Sequence, residues 1–555
     1  MNKNILMLMA AGLFCLAACN DILEVQEITQ PEEPTSSGKM ITETITAKVD
    51  FGGTKAGIGA DGTFSWTQGD LVAIHVYNEN SSPAYKYVVS SGASAFGDSA
   101  SFAVSYEAPY ARNAFAVYPS SIVPNTATGG LYGIGHPLDL VMPASYALDS
   151  ISGEKSPCPM IATNNPNSPK WRFKQLCGLL RLTVSGIPST ASYLKLYFNG
   201  VAVSGDFQVA VSGTDVVPGT STLKLKESAR DQDQYITITD LPASVGTVTF
   251  NIPLPTTESV SYQDIVVSAW DASDHALKAE IIPFTHSVAR AQGIKMSISL
   301  TSYAFYRGTS GNTPLYCLIA PGNLKYSNGT FSFHTNQYDR CFTTDVYDGS
   351  DAQKAERTAN YTSSGTFDLF GFGTSGYNYC YAWLQDNDDS KYAPGHLSTS
   401  TYSQYDWGIY NPIGSYSKKI WCTPTHDEMN ALRWGGATVV GIKGRIIIPE
   451  LFVDPMKNNG SDAFIEYINN NCSSSPDTNV YDADGWAAME NAGVAFLPFT
   501  GEDVYSHYIN KQGDYWTATS YSNNSAYLYR VGSVDDDHHT NRHKSKAVRL
   551  IHRLR

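Results

Sequence analysis

Gly513-Asp-Tyr-Trp-Thr-Ala-Thr-Ser520 is followed by Asn524-Ser-Ala-Tyr-Leu-Tyr-Arg-Val531 and then by Lys546-Ala-Val-Arg-Leu-Ile551. Each piece alternates apolar with polar residues, the two-residue period of a strand with one buried face. The polar runs Ser522-Asn-Asn524 and Asp535-Asp-Asp-His-His539 separate them and predict exposed loops. The reading is two or three terminal strands of one sheet.

Four upstream motifs accompany this stretch in order: Ala320-Pro-Gly-Asn-Leu-Lys-Tyr326, Phe367-Asp-Leu-Phe-Gly-Phe-Gly-Thr-Ser-Gly376, Asp406-Trp-Gly408 and Trp421-Cys-Thr-Pro-Thr-His-Asp-Glu428. Together they resemble the C-type-lectin-like module of the Fibrobacter major paralogous domain type, over roughly residues 303–555. The resemblance implies an α+β ligand-binding module of a bacterial surface protein. It leaves the ligand open between a glycan and a protein on a host or microbial surface. The polar loop of such a module makes Asp535, Asp536, Asp537, His538 and His539 the candidate ligand-facing positions.

At the other end, residues 1–18 carry Lys3 and an apolar run from Ile5 to Leu16, then Leu16-Ala-Ala-Cys19. This resembles a lipoprotein signal peptide with a lipobox, which implies a diacylglyceryl group on Cys19 and an outer-membrane lipid as partner. The run falls short of the ~20 residues that cross a bilayer. Residues 19–39 hold Glu24, Glu27, Glu32, Glu33, Pro31 and Pro34, a composition that buries no core and acts as a tether. The expected address is the outer membrane, exposed at the cell surface.

A net charge of -14 without Lys/Arg-dense runs before the C-terminal tail argues against nucleic acid as a partner. Only 16% of residues are charged, while 35 Tyr and 45 Gly suit pleated surfaces and tight corners, so the chain reads as mainly β. Beyond Cys15 and Cys19 the cysteines are Cys158, Cys177, Cys317, Cys341, Cys380, Cys422 and Cys472, too dispersed for paired zinc-ligand spacing. Buried thiols are expected, with one optional disulfide in the C-terminal module.

Between residues 40 and 302 strand follows strand. Ile41, Ile45, Ala47, Val49 and Phe51 share one face, and Thr42, Thr44, Thr46, Lys48 and Asp50 the other. Leu180, Leu182 and Val184 repeat the pattern, as do Val248, Phe250, Ile252 and Leu254. Asn199-Gly200 signals a two-residue hairpin. The segments Phe64-Ser-Trp-Thr-Gln-Gly-Asp-Leu-Val-Ala-Ile74, Phe173-Lys-Gln-Leu-Cys-Gly-Leu-Leu-Arg-Leu-Thr-Val-Ser-Gly186 and Ala289-Arg-Ala-Gln-Gly-Ile-Lys-Met-Ser-Ile298 resemble the fimbrillin-like family of Bacteroidetes.

That resemblance implies two Greek-key β-sandwiches, at 40–170 and 171–302, in a lipoprotein precursor. It also implies assembly with other pilus subunits by strand addition, after proteolytic removal of the first strand. Processing in the family commonly follows Arg, yet the first Arg here is Arg112, so Lys39 and Lys48 are the candidate sites, with Lys55 as a further substitute.

Other motifs carry little chemistry. Gly371-Phe-Gly373-Thr-Ser-Gly376 spells a dinucleotide pattern, but the aromatic run from Tyr377 to Trp383 opens no helix. Asp482-Ala-Asp484-Gly485 lacks the ligand count of a calcium loop, and Asp484 is expected to cap a helix stopped by Gly493. Thr425 to Glu428 forms a capping box, with Met429 and Leu432 on the buried side. His538, His539 and His543 read as solvent-exposed rather than metal-bound. No cofactor and no enzymatic activity are expected. The function expected is that of a fimbrial tip or accessory subunit that adheres through its C-terminal module. The alternative is a permanently anchored glycan-binding lipoprotein of a polysaccharide uptake system.

Overall fold

The computed structural model describes residues 39–555 apart from 50–65, 67, 79, 81–84, 95–98, 125–136, 154–157, 164–169, 211–223, 226–230, 257–260, 343–354, 356–357, 433, 450, 452–476, 478, 502–510 and 532–537. Cys19, the tether, Lys55 and Cys472 lie outside the described residues. The chain is mainly β, and among the described residues no helix is long and apolar enough to cross a membrane.

In chain order the first strands are β1 (Met40–Val49), β2 (Ala73–Tyr77), β3 (Tyr85–Val89), β4 (Ser99–Glu107), β5 (Ala111–Tyr118), β6 (Pro137–Met142), β7 (Ser145–Ala147), β8 (Met160–Thr163) and β9 (Lys170–Gln175). Seven of them form one sheet in the order β3-β2-β5-β8-β9-β1-β4. The sheet curls, because Ser94 bridges Ser101 and Ser91 N–H donates to the Ala103 carbonyl, bringing the segment after β3 against β4. Its core centres on Trp66, whose indole meets Phe102, Tyr118 and Phe173 edge-on at 5.2, 5.2 and 5.5 Å. Ile45 and Ala47 of β1 are fully buried there, as their alternation predicts.

Next come β10 (Cys177–Ser185), β11 (Tyr193–Asn199), β12 (Gly205–Ala210), β13 (Lys224–Leu225), β14 (Tyr235–Thr239), β15 (Thr247–Pro255), β16 (Ser261–Trp270), β17 (Ala276–Ser287), β18 (Gly293–Ser299) and β19 (Ser302–Tyr303). Sheets β15-β10-β18 and β19-β17-β16-β11-β14-β7 enclose a second core around Leu180, Leu182, Leu196, Phe198, Ile252 and Val267.

The expected division at 170/171 is too simple. β6 pairs with β12 and β7 with β14, and helix α1 (Leu148–Ile151) places Leu148 and Ile151 in the second core. Leu138, Leu140 and Met142 of β6 stay in the first core, where Phe207 and Val209 of β12 join them, so a later strand serves the first body while residues 145–151 serve the second before the chain returns as β8. The Asn199-Gly200 hairpin also fails to form. Gly200 takes the expected left-handed turn at φ +73°, but both edges of β11 are occupied by β14 and β16, so the chain crosses to β12 instead.

The C-terminal module holds β20 (Phe305–Ser310), β21 (Thr313–Ile319), β22 (Leu324–Ser327), β23 (Thr330–Phe333), β24 (Thr366–Phe367), β25 (Leu369–Phe370), β26 (Trp434–Val439), β27 (Ile442–Ile447), β28 (Val480–Tyr481), β29 (Ala495–Pro498), β30 (Gly513–Ser520), β31 (Ser525–Val531), β32 (His538–Asn541), β33 (Lys546–Ala547) and β34 (Ile551–Leu554). Helices α2 (Trp407–Tyr410), α3 (His426–Ala431) and α4 (Ala483–Asn491) join them.

The stretch that opened the sequence reading forms the centre of sheet β25-β33-β30-β31-β32. Its third piece splits, Lys546–Ala547 staying in that sheet and Ile551–Leu554 pairing with β21. Thr425 caps α3 with the full reciprocal box, and Met429 and Leu432 are buried. For α4 the cap is Asp482, whose carboxylate accepts from Gly485 N–H at 2.8 Å, two residues before the expected Asp484.

Candidate functional site

Strand β1 is the first candidate, because it is an interior strand made from the start of the described chain. It pairs antiparallel with β4, from Met40↔Glu107 to Lys48↔Ser99, and parallel with β9, from Thr46↔Lys170 to Val49↔Phe173. Lys39 is exposed just outside the strand, its carbonyl accepting from Ala108 N–H at 2.9 Å. Lys48 also presents an exposed side chain, but its backbone lies in the doubly paired part of the ladder. The two sites therefore differ: a cut after Lys39 severs the tether and leaves β1 seated, whereas a cut after Lys48 detaches nearly all of β1.

A polar contact fixes the register of β1. Glu43 interrupts the apolar face, accepting from Tyr106 O–H at 2.6 Å and pairing with Arg112 Nη1 at 3.2 Å. The Arg112 guanidinium also lies 5.8 Å from the Trp171 ring centre. Burial, with the hydrogen bond and charge of Glu43, pushes the Tyr106 phenol up to about 12. Arg112, the first Arg of the chain, is thus a structural partner of β1.

The expected ligand-facing loop divides. Asp535, Asp536 and Asp537 lie outside the described residues, whereas His538 and His539 are not loop but part of β32, an edge strand paired with β31. The alternating burial of β32 lets Tyr527 and His539 sit opposite each other, which a polar composition does not announce. His539 stacks on Tyr521 at 3.7 Å and 7°, Tyr521 meets Tyr527 edge-on at 5.1 Å, and His426 stacks on Tyr527 at 4.5 Å. These four rings form one aromatic patch with Tyr521 and His539 exposed. His543 points elsewhere, held by Asp389 at 2.9 Å.

A second aromatic surface escaped the sequence reading. Tyr379 is 79% exposed, and Tyr381 stacks on Trp383 at 4.9 Å and 7°. Asn378 and Tyr379 both hold left-handed backbone, at φ 48° and 64°, which costs roughly 1–2 kcal/mol per non-glycine residue. The surrounding contacts impose it: Gly376 N–H donates to the Cys380 carbonyl, Cys380 N–H to that of Tyr377, and Asn378 Nδ2 to the Tyr405 hydroxyl.

The glycine motif just before serves packing. A Cβ at Gly371 would lie 2.2 Å from Tyr392 Cε1, and one at Gly373 2.4 Å from the Ala393 Cβ, so this turn is filled by side chains and leaves no phosphate cradle. The signal for this second aromatic surface was the run Tyr377-Asn-Tyr-Cys-Tyr-Ala-Trp383, but composition alone does not separate exposed rings from core.

The cysteines Cys158, Cys177, Cys317, Cys341, Cys380 and Cys422 are all free thiols, so no disulfide joins the described part of the module. A cleft of about 360 Å³ opens between the second sandwich and the module, lined by Glu280, Tyr303, Tyr416, Trp421 and Glu490 among others.

No family model matches the chain, and no curated protein matches it. Solved structures similar to parts of it include a candidate cell adhesion protein from Bacteroides ovatus, at 11% identity and a TM-score of 0.28, covering 51% of this chain and 96% of that one. The tip fimbrial protein Mfa3 from Porphyromonas gingivalis, C-terminally truncated, gives 12% identity and 0.18 over 44% and 82% of the two chains. The fimbrial anchor protein Mfa2 from the same organism gives 8% and 0.20 over 50% and 97%.

Proposed function

We propose that the chain is a cell-surface fimbrial subunit, held by lipid on Cys19 until processing, which accepts a strand from another subunit in the place of β1 and adheres through its C-terminal module. The observation that carries this reading is the position of β1. Its removal would open a slot between β4 and β9 with unpaired backbone on both sides and with Ile45 and Ala47 missing from a closed core. Such a slot binds an extended segment by backbone hydrogen bonds, and its alternating pockets select side chains. Arg112 and Tyr106 would mark one position in it, where an incoming strand needs an acceptor in the place of Glu43.

The module's role in adhesion rests on its exposed rings. Tyr379 and Tyr381, the latter backed by the half-buried Trp383, offer flat faces to a sugar ring, and the Tyr521-His539 pair offers another. The Glu43-Arg112 contact favours the second reading, a permanently anchored glycan-binding lipoprotein, because it holds β1 in place. The experiment that separates them removes β1. Protein cut after Lys48 should bind an alternating apolar peptide carrying Glu at the Glu43 register, and uncut protein should not. Failure of cut, folded protein to bind any such peptide, together with absence of the subunit from sheared pili, would overturn the fimbrial reading. Binding of a glycan array by full-length protein, reduced in Tyr379→Ala and Trp383→Ala variants, tests the module independently.

A further inference from the structure

We propose that His334, Cys341 and Asp368 form a binding site for one divalent transition-metal ion, with zinc as the cation that best fits the donor set. The three residues come from separate places. His334 follows β23, Cys341 closes the turn after it, and Asp368 sits between β24 and β25. His334 Nε2 lies 3.0 Å from Asp368 Oδ2 and 4.0 Å from Cys341 Sγ, and the three potential donor atoms all lie within 4.8 Å of one another. A tetrahedral zinc ion with bonds of about 2.0–2.3 Å separates its N, O and S donors by roughly 3.3–3.6 Å, so shifts of a few tenths of an ångström to about one ångström bring this set into place.

The same trio of residue types could make a nucleophile with its base, and the geometry decides against it. In a relay the carboxylate orients one imidazole nitrogen and the nucleophile uses the other. Here Asp368 and Cys341 both face Nε2, so no proton can pass along the line, while three donors converge on one point.

The frame around the site is preformed. His334 N–H donates to the Asn323 carbonyl, and the Gly322 backbone passes so close that a Cβ there would lie 2.4 Å from the His334 carbonyl oxygen. Asp368 Oδ2 accepts from Cys341 N–H at 2.7 Å, and Asn336 with Asp339 closes the intervening turn. His334 and Asp368 are buried and Cys341 is half-buried; zinc held by three protein donors takes water as its fourth ligand.

Loading balances as follows. The ion takes the Cys341 thiolate, the His334 Nε2 lone pair and Asp368 Oδ2; the thiol proton goes to solvent, and the imidazole proton moves from Nε2 to Nδ1. One proton is released per ion bound. The dispersed cysteine spacing hid the site, because the sequence shows no paired ligands and the turn supplies the convergence.

The test uses purified full-length protein and cobalt(II) as a spectroscopic stand-in. One equivalent should give a thiolate-to-cobalt charge-transfer band and the visible bands of a four-coordinate ion, and zinc should displace it. Cys341→Ser should abolish the charge-transfer band and weaken zinc binding more than about 100-fold, beyond the effect of losing an outer-shell partner. Cys422→Ser should change neither. X-ray absorption of the zinc-loaded wild type, which requires no variant to fold, should show one sulfur near 2.3 Å and the remaining ligands nitrogen or oxygen. Absence of any band in wild type, its persistence in Cys341→Ser, or a first shell without sulfur would each overturn the site.

Discussion

Replacing Glu428 by Gln removes a negative charge from a point where two guanidinium groups meet. Oε1 accepts from Arg307 Nη1 at 2.6 Å and from Arg553 Nε at 2.7 Å. Oε2 accepts from Arg553 Nη2 at 2.8 Å and from Thr425 N–H at 2.8 Å. Arg307 further donates to the Tyr316 carbonyl, so β20, β21, α3 and β34 are tied through one carboxylate. Burial works against the charged form, but the hydrogen bonds and charge of Arg553 overcome it and hold Glu428 below the ordinary carboxyl range.

Breaking a buried ion pair by removing one partner costs ~3–5 kcal/mol. Gln keeps the shape and the cap, and Arg553 is partly exposed, so about 3 kcal/mol is expected. For local opening of β34 from β21 this is roughly a 100-fold loss of amide protection, at about 1.4 kcal/mol per tenfold. Hydrogen exchange of peptides spanning 316–319 and 551–554 reads it.

The sign with pH follows from the lowered folded value: the stabilisation is complete above the ordinary value of 4.5 and is lost as pH falls through the folded value. Wild-type protection should fall in acid, and the Gln variant should lack that step. A loss under tenfold, with unchanged circular dichroism, would refute the reasoning.

Burial holds His75 down to about 4, so the folded first sandwich excludes a proton that the unfolded chain binds near 6.5. Stability should therefore decline as pH drops from about 6.5 and level off near 4, by about 3 kcal/mol in all; thermal unfolding of His75→Gln should lose that slope, and an unchanged slope would refute the assignment. Gly373→Val meets both a φ of +71° and a Cβ contact of 2.4 Å, so the module should lose about 2–4 kcal/mol, seen as a lower melting transition. Asp514 is fully buried between Lys546 at 2.8 Å and Arg530 at 2.9 Å; Asp514→Asn should lower the urea midpoint of the module by the equivalent of ~3–5 kcal/mol, and a change under 1 kcal/mol would contradict the pairing.

The features legible in the sequence are those whose cause lies within a few residues. The period-two faces of β1, β10 and β15, the capping box at Thr425 and the stop at Gly493 are of this kind, because propensity and capping act locally. What was not legible depends on partners far along the chain. Glu428 reads as a cap residue, yet its arginines stand 121 and 125 positions away.

Asn199-Gly200 makes its turn, but whether a turn becomes a hairpin depends on whether the strand edge is free, and β14 and β16 had taken it. Asp482 displaced Asp484 as cap because either spacing suits a cap and only backbone direction chooses. His538 and His539 read as loop from polarity, while edge strands tolerate polar residues well. The His334-Cys341-Asp368 cluster needs a turn and a kink between short strands, neither of which leaves a spacing rule.

On the function proposed above, force would pass between the strand that holds the subunit and the ligand that its module holds, and the contacts supply a continuous path. β1 lies beside β9, and β9 runs through the buried Leu176 into β10, the central strand of the second sandwich's smaller sheet. From that sandwich the path enters the module sideways. Asp264 accepts from Phe284 N–H at 3.1 Å within the sandwich and from Ser417 N–H at 2.6 Å across the boundary. Asn199 Nδ2 donates to the Lys418 carbonyl at 2.9 Å, and Trp270 meets Tyr316 edge-on at 5.9 Å.

Val266, Trp270, Ala279 and Ile281 belong to the same buried cluster as the module's own core. A boundary near 302 that acted as a free hinge would need an exposed linker with few contacts across it. Here Asn199, Asp264, Trp270 and Tyr316 meet the boundary from buried positions, and Asn199 and Asp264 hydrogen-bond across it. Tension on the module would therefore be shared across a packed interface before it reaches β10, β9 and the position of β1, where parallel and antiparallel ladders shear along their length rather than open one bond at a time.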